Sequence, residues 1–161
     1  MGTLVAPGKY PGFNTASVTK LFIAVATLQL IERGLLAFDT PVIDFLGLQE
    51  TSITRPVNVF HLLTHTSGIA DDAEEESGED YADIWKTRPN YAVTETADFL
   101  PQFAHKPPNF PPGQGCRYCN CSYVLWACSS KRQAVCPIGT TCVSRSSHPP
   151  KCSALISCAW T

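Results

Sequence analysis

The sequence predicts a mainly helical globular domain built round one apolar helix near its start. Three observations predict it. No charged residue falls between Lys20 and Glu32, and apolar side chains there occupy every side of a helical projection. Two further segments, Val57 to Leu63 after Pro56 and Thr94 to Phe103, have helix-like openings and lengths. Hydrophobic residues make up 44% of the 161, ordinary for a folded chain, so wholesale disorder is not expected.

Residues 1–16 read as loop, with Pro7-Gly8 and Pro11-Gly12 as turn signals. The first helix should open near Ser17, with Ser17 or Thr15 as its cap. It should run to Arg33 and stop at Gly34, which tolerates positive φ. A helix apolar all round is expected to be buried all round, so this one should be central. Residues 35–48 form a return segment. His61 and His65 fall at the end of the second helix, and Thr66-Ser67-Gly68 reads as a turn. Asp71 to Asp80 is strongly acidic and reads as a solvated loop. Thr94 is the expected cap of the third helix, and Pro107, Pro108, Pro111, Pro112 and Gly113 make an irregular crossing.

The bulk numbers exclude several functions. A net charge of −2 with 16% charged residues lacks the basic face of a nucleic-acid binder. The longest apolar run, Leu21 to Ile31, contains Thr27 and Gln29 and is far short of the about 20 residues a membrane span needs. Residues 1–8 show no signal-peptide pattern, and Ala6 stands where a myristoylation signal wants Ser or Thr. There is no Gly-x-Ser-x-Gly elbow, no His-Glu-x-x-His pair and no phosphate loop. No cofactor is expected.

The chemistry points to Ser17-Val18-Thr19-Lys20. Residues three apart on a helix share a face, so the hydroxyl and the amine come within reach. A serine hydroxyl is a weak nucleophile until a base stands beside it. A lysine serves as that base when burial and a helix N-terminus disfavour its ammonium form. The same N-terminus can offer N–H groups to a developing oxyanion. Alone, the spacing also fits a helix cap followed by a surface lysine.

Its company narrows the choice. Phe13-Asn14-Thr15-Ala16-Ser17-Val18-Thr19-Lys20-Leu21-Phe22 resembles the first motif of the serine β-lactamase and penicillin-binding-protein superfamily. His61-Leu62-Leu63-Thr64-His65-Thr66-Ser67-Gly68-Ile69 resembles a signature of its class C and esterase branch, and Tyr118-Cys119-Asn120 is similar to the Tyr-x-Asn motif of that branch. The resemblance implies an α+β fold of the β-lactamase/DD-peptidase type, of which this chain would hold mainly the helical region. It implies Ser17 as the acylated nucleophile, Lys20 as proton acceptor or relay, and Tyr118 as partner base and later acid. Asn120 would hydrogen-bond the substrate amide or Lys20. His61, His65 and Ser67 would be structural, holding a turn beneath the site. The substrate would be a small ester, amide or β-lactam, hydrolysed through an acyl-enzyme. Such families are often periplasmic or secreted.

Two features depart from that family. The strands expected before the Ser-x-x-Lys helix have only residues 1–16 to form them, and the third motif has no better match than Pro137-Ile138-Gly139-Thr140-Thr141. Little turnover is therefore expected, since losing one oxyanion donor costs about 10²–10³-fold in rate. All eight cysteines lie between Cys116 and Cys158. Back-translated with free third bases and read one base earlier, residues 126–142 give LGLLIEKASGMPYRDYV, which resembles the family after its Tyr-x-Asn motif. The expectation is a hydrolase-like domain over residues 1–125 and out-of-frame translation over 126–161. Three alternatives stand beside it. They are a penicillin-binding sensor that is acylated without turnover, an inactive gene remnant, and a zinc module on Cys116-x-x-Cys119-x-Cys121.

Overall fold

The computed structural model describes residues 15–48, 50–73 and 78–132. Six α-helices follow in order among them: α1 (Thr19–Glu32), α2 (Val42–Leu46), α3 (Val59–Leu63), α4 (Ile84–Thr87), α5 (Leu100–Phe103) and α6 (Asn120–Arg132). No strand occurs among the described residues, and one isolated antiparallel bridge joins Pro41 to Asn58.

The first helix starts later than its cap signals suggest. Ala16–Val18 forms a 3₁₀ turn, and α1 proper opens at Thr19. Neither expected cap bonds a peptide N–H: the Thr15 hydroxyl pairs with that of Thr19 at 2.8 Å. The C-terminal reading holds. Gly34 has φ +69°, its N–H donates to the Ile31 carbonyl at 2.9 Å, and Leu35 N–H reaches back to Leu30 at 3.1 Å. That pair closes the helix as a Schellman turn, which a side chain at Gly34 would strain.

The expectation that α1 is buried all round is corrected. Thr19, Ile23, Ala26 and Thr27 are buried, but Leu21 is 66% exposed and Val25 and Leu28 are about half exposed. Apolar residues on every side give the helix no preferred face, so its neighbours choose which side is covered. Here α6 is the central element. It lies against α1, α2, α3 and α5, and every residue from Cys121 to Trp126 is buried. The core that surrounds it includes Val42, Val59, Leu62, Phe103 and Leu125. Trp126 is held within that core, its indole N–H donating to the Thr27 hydroxyl of α1 at 2.6 Å. The helix thus runs seven residues past Leu125, into the stretch expected to be out-of-frame translation.

Asn58 rather than Pro56 starts α3. Its side chain accepts from His61 N–H at 3.0 Å, and His61 Nδ1 accepts from Asn58 N–H at 3.4 Å. Such a reciprocal box satisfies two otherwise orphaned donors and gives His61 its structural job. Thr94 is not a helix cap. Its N–H and hydroxyl both donate to Asp98, and a 3₁₀ turn begins at Thr96 with Glu95 as N-cap. Peptide N–H groups of Glu95 and then Thr94 hold the Asp98 carboxyl down at about 2.

The proline-rich crossing is irregular as expected, and it lies on the Thr66-Ser67-Gly68 turn. Asn109 N–H donates to the Gly68 carbonyl and Gly113 N–H to that of Thr66, both at 2.8 Å. Gly68 has φ +71°, and a Cβ there would stand 1.9 Å from the Phe110 carbonyl oxygen. Gly68→Ala is therefore expected to destabilise by about 2–3 kcal/mol or more, because backbone must move on both segments. Urea unfolding of the variant beside the native chain checks this; equal midpoints would contradict it.

Candidate active site

Four side chains singled out by the sequence meet at one end of α1. Ser17 sits in the 3₁₀ turn and Lys20 in the first turn of α1, and residues three apart along such helical backbone share a face. Lys20 Nζ donates to Ser17 Oγ at 3.2 Å and to Asn120 Oδ1 at 2.9 Å. Ser17 Oγ and the Tyr118 hydroxyl are 2.7 Å apart across 101 residues of chain. The lysine nitrogen also stands 5.0 Å from the centre of the Tyr118 ring and 5.7 Å from that of Tyr123. Ala16, directly before the serine, is held at φ +43°, a region non-glycine residues rarely occupy and one that recurs at functional turns.

The site is open. Ser17 is exposed, Tyr118 is 51% exposed, and Lys20 is half-buried beside the exposed Leu21. Lys20 is therefore less buried than a place in an all-round buried helix would make it. Chemically, a hydroxyl in hydrogen-bond contact with a phenol and an amine has two routes along which its proton can leave.

Two residues that the sequence reading left outside the site hold its far wall. Asp71 was expected at the edge of a solvated loop. It is buried instead, and its carboxylate accepts the N–H groups of Asn120 at 3.0 Å and Cys121 at 2.9 Å. These are first-turn donors of α6, which a carboxylate satisfies while complementing the helix dipole. Nothing in local spacing marks it, because its partners lie 49 and 50 residues away. His65 is the second. Its ring lies 4.7 Å from that of Tyr118 and 5.3 Å from that of Tyr123. Burial, and then the charge of Lys20, hold its pKa below the ordinary imidazole value, with Asp71 pulling the other way. Tyr123 donates its hydroxyl to the Leu63 carbonyl at 3.0 Å, and burial followed by Tyr118 raises its pKa.

Cys116, Cys119 and Cys121 do not come together as a three-ligand metal cluster among the described residues. Cys116 is exposed and directed at the Thr64 carbonyl, whereas Cys119 and Cys121 are buried. Burial pushes the Cys119 thiol up to about 12, and burial likewise raises Cys121, which works against the thiolates that zinc takes. Cys119 directs its thiol at Asp71. Cys128 is buried, and Cys136, Cys142, Cys152 and Cys158 lie outside the described residues.

Comparison with known proteins agrees with the family resemblance. The family described as Beta-lactamase matches residues 12–128. Esterase EstB of Burkholderia gladioli is 36% identical over 118 residues, covering 66% of this chain and 28% of that protein. Among solved structures, the penicillin-binding protein from Bacillus halodurans superposes with a TM-score of 0.65 at 43% identity, over 72% of this chain and 34% of that one. A D-stereospecific amidohydrolase from Streptomyces sp. gives 0.64 at 25% identity, over 80% and 39%. The described helices therefore follow the β-lactamase and penicillin-binding-protein fold, and this chain spans well under half the length of each of these relatives. No helix among the described residues is long and apolar enough to cross a membrane.

Proposed function

We propose, for a chain that belongs to the beta-lactamase family over residues 12–128, that Ser17 is a nucleophile taking an acyl group from a small ester, amide or β-lactam. The observation that carries this is the 2.7 Å contact of Ser17 Oγ with the Tyr118 hydroxyl, with Lys20 on the same oxygen. As Oγ bonds to the carbonyl carbon, its proton passes to Tyr118 Oη held as a phenolate, or to Lys20 Nζ held as a neutral amine. The C–O or C–N bond of the substrate then breaks, and the leaving group takes that proton from whichever of Tyr118 and Lys20 received it. Water adds to the ester of Ser17 by the reverse path and frees the serine. Asn120 orients Lys20 through its 2.9 Å hydrogen bond, and its N–H₂ is the donor that would meet a substrate carbonyl.

Turnover should be slow. Ser17 is exposed, and no strand among the described residues supplies a second oxyanion donor. This openness also favours a second reading, a penicillin-binding sensor that is acylated and stays so. A nitrophenyl ester and a fluorescent penicillin together test the pair. One label per chain with slow release is the expected result. Labelling with no release favours the sensor, and no labelling by either reagent leaves the inactive-remnant reading in place.

We further propose that residues 126–161 are out-of-frame translation and that residues 1–125 are the hydrolase-like part. The alternative string LGLLIEKASGMPYRDYV supports this, as does a family match that ends at residue 128. Sequencing the gene across codon 125 is expected to recover that string from the shifted frame. Codons that cannot encode it would contradict the shift.

A further inference from the structure

We infer that His65 is a positioning residue for Tyr118, fixing the phenol against Ser17 by gripping the chain on both sides of it. The inference rests on the reading of Tyr118 as the proton partner of Ser17.

Three contacts converge on this one residue. The His65 carbonyl accepts Arg117 N–H at 3.0 Å. Its Nδ1 accepts Cys119 N–H at 3.2 Å. Between those two anchors the Tyr118 ring lies tilted over the imidazole, centroids 4.7 Å apart at 35°. A tyrosine in an irregular crossing, half exposed, would otherwise be free to swing away from Ser17. With the peptide bonded before and after it, and its ring resting on a flat partner, the hydroxyl is confined to the 2.7 Å contact.

The geometry at His65 is itself unusual. Its φ is +59°, a left-handed conformation uncommon for residues other than Gly, although His, like Asn and Asp, enters it more often than most. That turn of the backbone directs carbonyl and ring toward the same strip of chain. Strain of this kind persists where surrounding contacts over-determine it.

Protonation state matters to the grip. Nδ1 can accept from Cys119 only while it carries its lone pair, so the neutral imidazole grips and the imidazolium lets go. The groups that face the ring are Lys20 from α1, Asp71 from the following loop, Tyr118 and Cys119 from the crossing, and Tyr123 from α6. Burial, and then the charge of Lys20, favour the gripping form, and Asp71 opposes it. Acid should therefore loosen Tyr118 before the fold is lost.

Two substitutions separate the acceptor from the backbone. In His65→Asn the side-chain oxygen can replace Nδ1, and Asn accepts positive φ. In His65→Gly the φ is relaxed but no acceptor remains. Labelling of Ser17 by a fluorescent penicillin is expected to fall only a few-fold in H65N, which keeps an acceptor for Cys119 N–H but loses the ring under Tyr118, and to fall about 10–100-fold in H65G, the cost of a misplaced catalytic group. The native rate should decline in acid with a midpoint below the ordinary imidazole value, and H65N should lack that decline. Parallel NMR of nitrogen-labelled protein follows the Cys119 amide, which should shift with the same midpoint. Equal labelling rates in H65G and the native chain would overturn the inference, as would a Cys119 amide indifferent to His65 titration. If no form labels at any pH while that amide follows His65, the nucleophile reading fails and the grip stands.

Discussion

Ser17→Ala is expected to reduce ester cleavage to the rate of buffer alone and to abolish covalent labelling by penicillins. The oxygen that would carry the acyl group is then absent, and no neighbouring group replaces it. The Tyr118 hydroxyl and Lys20 Nζ each lie within hydrogen-bond distance of that oxygen, so they are placed to move its proton rather than to substitute for it. Removing the nucleophile of a serine hydrolase costs up to about 10⁶-fold in turnover, and a slow enzyme has less than that to lose. Fold should be unaffected, because Ser17 is exposed and caps no helix by its side chain. Stopped assays over hours, with circular dichroism of the same samples, check both halves. Cleavage that persists undiminished in S17A would remove the mechanism.

Tyr118→Phe carries the second large effect. It deletes one oxygen, the one 2.7 Å from Ser17, and leaves the ring that rests on His65. The loss should fall on acylation by about 10²–10⁴-fold, the usual worth of a positioned acid or base. Binding of an unreactive substrate analogue should change little, since the hydroxyl acts on the proton and not on the acyl group. Lys20 retains its 3.2 Å hydrogen bond to Ser17, which is why some labelling should remain in Y118F and none in S17A. Pre-steady-state labelling rates measure this. A Y118F rate equal to the native one would assign the proton transfer to Lys20 alone.

What the sequence made legible was local or motif-borne. Ser17 and Lys20 follow from a spacing that sets two side chains on one face. Gly34 follows from the need for positive φ at a helix end. Tyr118 and Asn120 were reached through resemblance, since no spacing rule links them to a serine 101 or more residues away. The burial of α1 was misread because an evenly apolar helix carries no sign of which side meets neighbours, and Leu21, Val25 and Leu28 are on the uncovered side. Asp71 was misread for the opposite reason. Its local surroundings are acidic and look solvated, while its partners are peptide groups at the start of α6. His65 sat inside a recognised string, yet its grip depends on a backbone angle and two distant N–H groups that no string displays.

The central claim is chemical: the oxygen at position 17 becomes an ester. Peptide mapping by mass spectrometry after brief exposure to a penicillin tests it most directly. The account predicts a single adduct of the penicilloyl mass on the peptide containing Ser17 and none on those containing Cys116 or Tyr118. An adduct confined to a cysteine or to Lys20, with the Ser17 hydroxyl unmodified, would contradict it.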